Sequence, residues 1–204
     1  MQLNPRYQHA VQVSAALIGH DEKIIIDAFR FALKNAFEPH ELVELILQSL
    51  LFDGYPCALE GLIALKRTLP EILPASEEFE PYNSANLEEW KSRGVSLCKR
   101  IYGDNFEPLL DNVGNLSPSL KEWMLNEGYG RVLARQSLPI DIREMGIIAI
   151  LIVKGYPRQL HSHMRGALEV GVSLHELNEA IAICEGFTAK ANISSAAEIL
   201  QKLT

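Results

Sequence analysis

The sequence predicts an all-α protein, and three observations carry that prediction. Apolar residues recur at three- and four-residue spacing along nearly the whole chain. Two-residue alternation with Val, Thr and Tyr enrichment is nearly absent, and Pro, Gly and Asp fall where helices would start and stop. At 204 residues and 48% hydrophobic, the chain is long enough to bury a substantial core.

Taken in order, a first helix is expected over residues 5–18. Asp21 can cap the second, "EKIIIDAFRFALKN", since its carboxylate can accept from the free amides of a first turn. Pro39 suits the first turn of "HELVELILQSLLF", "DGYP" is expected to break the chain, and "CALEGLIALKRTL" runs to Pro70. Residues 70–86 are acidic and hold three prolines, so they read as a surface linker. Asn86 with Glu89 forms a capping-box pattern for the next helix. Residues 103–117 read as a loop, and Pro118 opens "SPSLKEWMLNEGYGRVLAR". In the last third, Asp141 with Glu144 gives a capping-box pattern for "IREMGIIAILIVK", which Gly155 and Pro157 stop. A helix over about 157–170 ends at Gly171, Ser173 with Glu176 caps "LHELNEAIAICE", Gly186 closes it, and "ISSAAEILQKL" is the last amphipathic helix.

The formal charge of −7, with no run of Lys and Arg to offset it, argues against nucleic acid as a partner. The amino-terminal stretch lacks a charged segment followed by an apolar one, and no apolar run approaches the roughly 20 residues of a membrane span. A cytoplasmic protein without membrane contact is therefore expected. Cys57, Cys98 and Cys184 are odd in number and far apart, which fits neither a disulfide framework nor a zinc site, so they read as small buried hydrophobes.

An internal repeat organises the chain. An offset of 135 lays "RFALKNAFEPHELVE", from Arg30, on "RGALEVGVSLHELNE", from Arg165, matching His40-Glu41-Leu42 to His175-Glu176-Leu177. Further on the offset falls to 132, with Asp53-Gly54-Tyr55 on Glu185-Gly186-Phe187. Two pseudo-symmetric helical hairpins packing as a dimer of single repeats would result. The segments are then 1–70, a degenerate first repeat; 71–118, a linker and connecting helix; and 119–204, the complete repeat, together making one compact unit. At the same offset His163 falls on Ala28 and Glu144 on His9, so any site belongs to the second copy.

Within "KGYPRQLHSHMRGALEVGVSLHEL", residues 154–177, His161 and His163 lie about 200° apart on a helix and cannot converge from one face. No His or carboxylate stands at metal-ligand spacing beside them, so no metal is expected. Glu144 and His163 are the candidate acid-base groups, a carboxylate that burial could tune and a side chain that changes charge near neutral pH. Arg158, near a helix amino end, could hold a substrate carboxylate, because an Arg fork and free amides both favour anions. His161, Tyr156, Tyr129 and Arg131 complete the candidate substrate-binding set. Arg165 recurs as Arg30 and reads as a structural ion-pair residue.

The stretch "GYGRVLARQSLPIDIREMGIIAILIVKGYPRQLHSHMRGALEVGVSLHELNEAI" resembles the carboxymuconolactone decarboxylase family of the alkylhydroperoxidase D-like superfamily. It has a Glu in an Arg-Glu pair, an apolar helix, a short turn, a helix with His and a "GAL" step, and a closing Gly and "EL" helix. The resemblance implies an alkylhydroperoxidase D-like helical bundle and, as activity, cofactor-free decarboxylation of a small carboxylated lactone or related acid. Redox members of the superfamily carry a Cys-x-x-Cys where Tyr156 and Gln159 stand here, so thiol peroxidase chemistry is not expected. A non-catalytic scaffold binding a small molecule or a partner is the alternative. Single-repeat members form dimers assembled into rings of six, which for a two-repeat chain implies a homotrimer, with dimer and hexamer as alternatives.

Overall fold

Six helices begin in register across the two ends of the chain. Helices α1 (Pro5–Gly19), α2 (Glu22–Asn35) and α3 (Pro39–Thr68) start 135 residues before three later ones, which begin at Ile140, Pro157 and Leu174. This is the offset at which the sequence matches itself. Between the two sets lie α4 (Ser84–Tyr102), α5 (Phe106–Leu116), α6 (Pro118–Trp123) and a π-helical segment, Met124–Leu133. The later set is α7 (Ile140–Lys154), α8 (Pro157–Glu169) and α9 (Leu174–Cys184), followed by α10 (Lys190–Gln201). A computed structural model describes residues 4–19, 21–35, 37–71 and 79–203, and no strand occurs among them.

The chain forms two compact units, Met1–Glu77 with Ser137–Thr204, and Glu78–Gln136. They divide the chain differently from the expected segments 1–70, 71–118 and 119–204, because α6 and the π-helical segment pack with α4 and α5 rather than with the last helices.

In the first unit α1 and α7 form the centre. Every residue from Ile142 to Ile152 on α7 is buried, as is Val13–Ile18 on α1, and a helix apolar on all sides must be covered on all sides. α1 packs on α2, α3, α7 and α9, while α7 packs on α8, α9, α1 and α3, so each neighbour of one has its counterpart around the other; α10 also covers α7. Gly146 permits the closest approach. A Cβ there would lie 2.7 Å from Ser14 Oγ and 2.8 Å from Gln48 Nε2.

Helix α3 passes through "DGYP" with a kink instead of a break. Gly54 takes φ 77° in the left-handed region, which glycine tolerates, and Pro56 lies within the helix just beyond it. By length and composition α3 is also apolar enough to cross a membrane, contrary to the expectation that no such run exists. Its buried face nonetheless includes Glu41, Glu44, Gln48 and Ser49 beside Leu42, Leu45 and Ile46, the pattern of a core helix with polar duties.

Several caps hold as expected. Asp21 Oδ1 accepts from the amides of Lys23 and Ile24, Ser173 and Glu176 form a reciprocal capping box, and Gly155 and Gly171 sit at positive φ after α7 and α8. Others differ. The cap of α4 is Asn83, whose side chain accepts from the Asn86 amide, while Glu89 pairs with Arg93 one turn on. Asp141 and Glu144 make no box, since Pro139 holds the cap position of α7. Residues 103–117, expected as a loop, contain a 3-10 turn and α5, whose Pro108 falls in the first turn, where its missing N–H costs nothing. Most of the expected linker core, residues 72–78, lies outside the described residues.

In the second unit, α4 and the π-helical segment meet backbone to backbone. A Cβ on Gly130 would lie 2.0 Å from Trp90 O, and one on Gly94 would lie 1.9 Å from Leu125 O. Glu80 accepts from both terminal guanidinium nitrogens of Arg93, at 2.9 and 2.7 Å, and from Trp90 Nε1. Those bonds, Arg93 foremost, hold the Glu80 carboxyl below its ordinary range.

Candidate active site

The α7–α8 hairpin places Glu144 opposite His163. Gly155 turns the chain in the left-handed conformation and Pro157 starts α8, so the two residues stand about 16 and 12 Å along their helices from the turn. His163 Nδ1 and Glu144 Oε2 are 2.8 Å apart. With Glu144 as a carboxylate, which can only accept, the proton of this contact lies on Nδ1, and Nε2 is the nitrogen that can take or give one.

Both groups are withdrawn from water, Glu144 at 0% and His163 at 6% exposure. A carboxylate in a core carries a large desolvation cost unless partners compensate it. His163 compensates Oε2. The second oxygen, Oε1, is buried and makes no hydrogen bond among the described residues, and such an atom in a folded core calls for an explanation.

Around the pair stands a shell that local spacing did not reveal. Arg143, fully buried, donates from its guanidinium to Glu44 Oε2 at 2.7 Å and from Nε to Leu138 O at 3.2 Å. Gln48 Nε2 donates to Arg143 O at 3.3 Å, and the Phe52 ring meets the His163 imidazole edge-on, centroids 5.7 Å apart at 77°. Glu44, Gln48 and Phe52 all belong to α3, roughly a hundred residues upstream. Beside Phe52, Asp53 accepts from Lys154 at the end of α7, and this bond foremost raises the Lys154 ammonium above its ordinary range.

The substrate-binding candidates fall in different places. Tyr156, 45% exposed, precedes α8, and the seven residues to His163 bring it back to nearly the same side of the helix. Arg158 is exposed and His161 half-buried; they lie about 140° and 200° around α8 from His163, and neither side chain hydrogen-bonds to the pair. Tyr129 and Arg131 belong to the second unit. Tyr129 is buried with its hydroxyl 2.7 Å from that of Tyr102, and Arg131 pairs with Glu127 at 3.3 Å and lies over the Trp90 ring. Arg165, expected in an ion pair, is exposed, whereas Arg30 approaches Asp27 at 3.8 Å on the surface.

All three cysteines are buried with reduced thiols. Burial pushes Cys98 and Cys184 up to about 12 and raises Cys57, which lies near Ser49 Oγ and Leu17 O. Thiolate chemistry has no poised nucleophile there. Among the described residues, no group of three or more His, Cys, Asp and Glu is placed to hold a metal ion.

Comparison with known proteins gives a likeness for the second half of the chain. Residues 118–202, which contain the whole α7–α8 hairpin, match the carboxymuconolactone decarboxylase family. A 4-carboxymuconolactone decarboxylase of Acinetobacter baylyi is 26% identical over 100 residues, covering 48% of this chain and 75% of that protein. Proteins called peroxisomal protein 2 in Saccharomyces cerevisiae and Schizosaccharomyces pombe are 28% and 27% identical, over 63% and 69% of this chain. The matches span 53% and 65% of the lengths of those two relatives. Residues 118–202, about two fifths of the chain, are thus similar to the carboxymuconolactone decarboxylase family.

Proposed function

We propose that this protein is a cofactor-free carboxy-lyase acting on a small carboxylated lactone or related acid, with Glu144 and His163 sharing the proton work. The observation that carries this reading is the buried 2.8 Å contact between them, in a segment similar to the carboxymuconolactone decarboxylase family and to a named decarboxylase. Loss of carbon dioxide passes the electrons of the breaking C–C bond into the conjugated lactone carbonyl, giving a dienolate. His163 Nε2 then delivers a proton to carbon, Glu144 stabilises the imidazolium before transfer, and solvent restores the proton. The substrate acid is expected at the amino end of α8, where free amides attract an anion and Tyr156 stands on the His163 side. The matched helix starts support a two-repeat organisation in which α1–α3 serve as partner to α7–α9.

The test is carbon dioxide release from a panel of carboxylated lactones and β-keto acids. Release by the wild type that vanishes in His163→Ala, with helical circular dichroism retained, supports the reading; silence across the panel sinks it.

A binding scaffold without chemistry is the second reading. It is favoured by Arg158 and His161 facing away from His163, and by relatives whose names describe a location instead of a reaction. Those names also set a peroxisomal location beside the cytoplasmic one, and a fluorescent fusion distinguishes them. For assembly we propose a homotrimer. Tyr55, Leu59 and Ile63, exposed at four-residue steps on α3, offer apolar surface for it, and sedimentation measures the state.

A further inference from the structure

Glu44, Gln48 and Phe52 stand at four-residue steps on α3, so they share one face, and that face lies against the hairpin that carries Glu144 and His163. Each member touches a different part of it. Glu44 takes the Arg143 guanidinium, Gln48 takes the Arg143 carbonyl, and Phe52 lies edge-on to the imidazole.

We propose that this stripe, contributed by the first half of the chain, is the positioning device of the acid-base pair; the reaction it serves rests on the function proposed above. Arg143 and Glu144 are consecutive, about 100° apart on α7. Holding Arg143 at both its carbonyl and its guanidinium fixes the rotation of the first turn of α7, and with it the direction in which Glu144 points. Asp53, next to Phe52, grips Lys154 at the other end of α7, so α3 holds that helix at two places. Phe52 then limits the His163 ring to an orientation with Nδ1 toward Glu144. The edge-to-face arrangement of the two rings is a preference that a branched aliphatic side chain of similar bulk does not share. The half that lacks its own Glu and His is thus the template that aims those of the other half.

Phe52 is half-buried, so Phe52→Leu is expected to fold, and Gln48→Leu tests the second contact independently. The readout is the ¹⁵N spectrum of the imidazoles, with His163 assigned by its absence in His163→Ala. In the wild type the Nδ1-protonated tautomer should dominate, with slow exchange of that proton. Phe52→Leu and Gln48→Leu should mix the tautomers and speed that exchange, and Phe52→Tyr, which keeps the aromatic ring, should retain the wild-type behaviour in both. If turnover is found, kcat should fall about tenfold or more in Phe52→Leu with KM nearly unchanged, as expected when positioning alone is lost. A wild-type tautomer and exchange rate in both leucine variants would overturn the proposal and reduce the stripe to packing. The spectrum decides this even if no substrate is turned over, so failure of the proposed reaction and failure of the stripe are separable.

Discussion

Replacing Arg143 by methionine removes the guanidinium from a carboxylate that has almost no access to water. Glu44 is 1% exposed and Arg143 0%, and their contact is 2.7 Å. The net worth of such a pair is small because desolvation opposes the attraction, but removing one partner leaves a buried charge and costs about 3–5 kcal/mol. On a chain whose total stability is of order 5–15 kcal/mol that is a large fraction. With about 2–4 °C per kcal/mol for a protein of this size, melting should fall by about 6–20 °C. Thermal and urea unfolding followed at 222 nm would read it. Glu44→Leu should cost a similar amount, and Arg143→Met with Glu44→Leu together should cost clearly less than the two singles added, because neither charge remains. Singles that each cost under about 1 kcal/mol, or a double variant that is simply additive, would refute the reasoning.

Three further outcomes are expected. Gly130→Ala should destabilise the second unit by about 1–3 kcal/mol or more, because its Cβ would collide with the Trp90 carbonyl; Gly128→Ala, which meets nothing within 4 Å, should be near neutral, both read by tryptophan fluorescence. Native protein at pH 8 should resist thiol-specific reagents, since a thiol at about 12 is ionised in about one molecule in ten thousand; all three cysteines should react in denaturant, and rapid native labelling would contradict the burial argument. Because Arg93 holds Glu80 below its ordinary value, the stability it supplies is full above the unfolded glutamate value of about 4.3 and fades as pH falls through the folded one. Acid unfolding of the second unit in Glu80→Gln should therefore show a shallower loss below pH 4.3 than in the wild type.

The helices and the approach of Glu144 to His163 were legible because both rest on short-range pattern. Apolar spacing, Pro39, Pro157 and Gly155 mark the helix ends, and Glu144 and His163 lie on two helices joined by one tight turn, so their meeting follows from hairpin geometry. What remained hidden is long-range. Gln48 and Glu44 reach Arg143 across 95 and 99 positions, and Asp53 reaches Lys154 across 101. Nothing in local spacing distinguishes a buried Gln on an apolar helix from one at its surface. Helix α5 was missed because Pro108 and Gly114 are breakers in a helix interior, while here the proline occupies the first turn and Gly114 stands near the end. The box expected of Asp141 and Glu144 failed for a physical reason. Asp141 takes the Tyr7 hydroxyl at 2.8 Å, and Glu144 points into the core toward His163.

The most direct test of the central claim is the stereochemistry of protonation in heavy water, using whichever carboxylated lactone or β-keto acid the release assay identifies, provided that the carbon protonated is prochiral. If His163 delivers the proton, wild-type product should carry one deuterium on a single face of the carbon that lost its carboxylate, and His163→Gln should form residual product slowly with deuterium on both faces. Equal labelling of both faces by the wild type, or unchanged facial selectivity and rate in His163→Gln, would contradict the account.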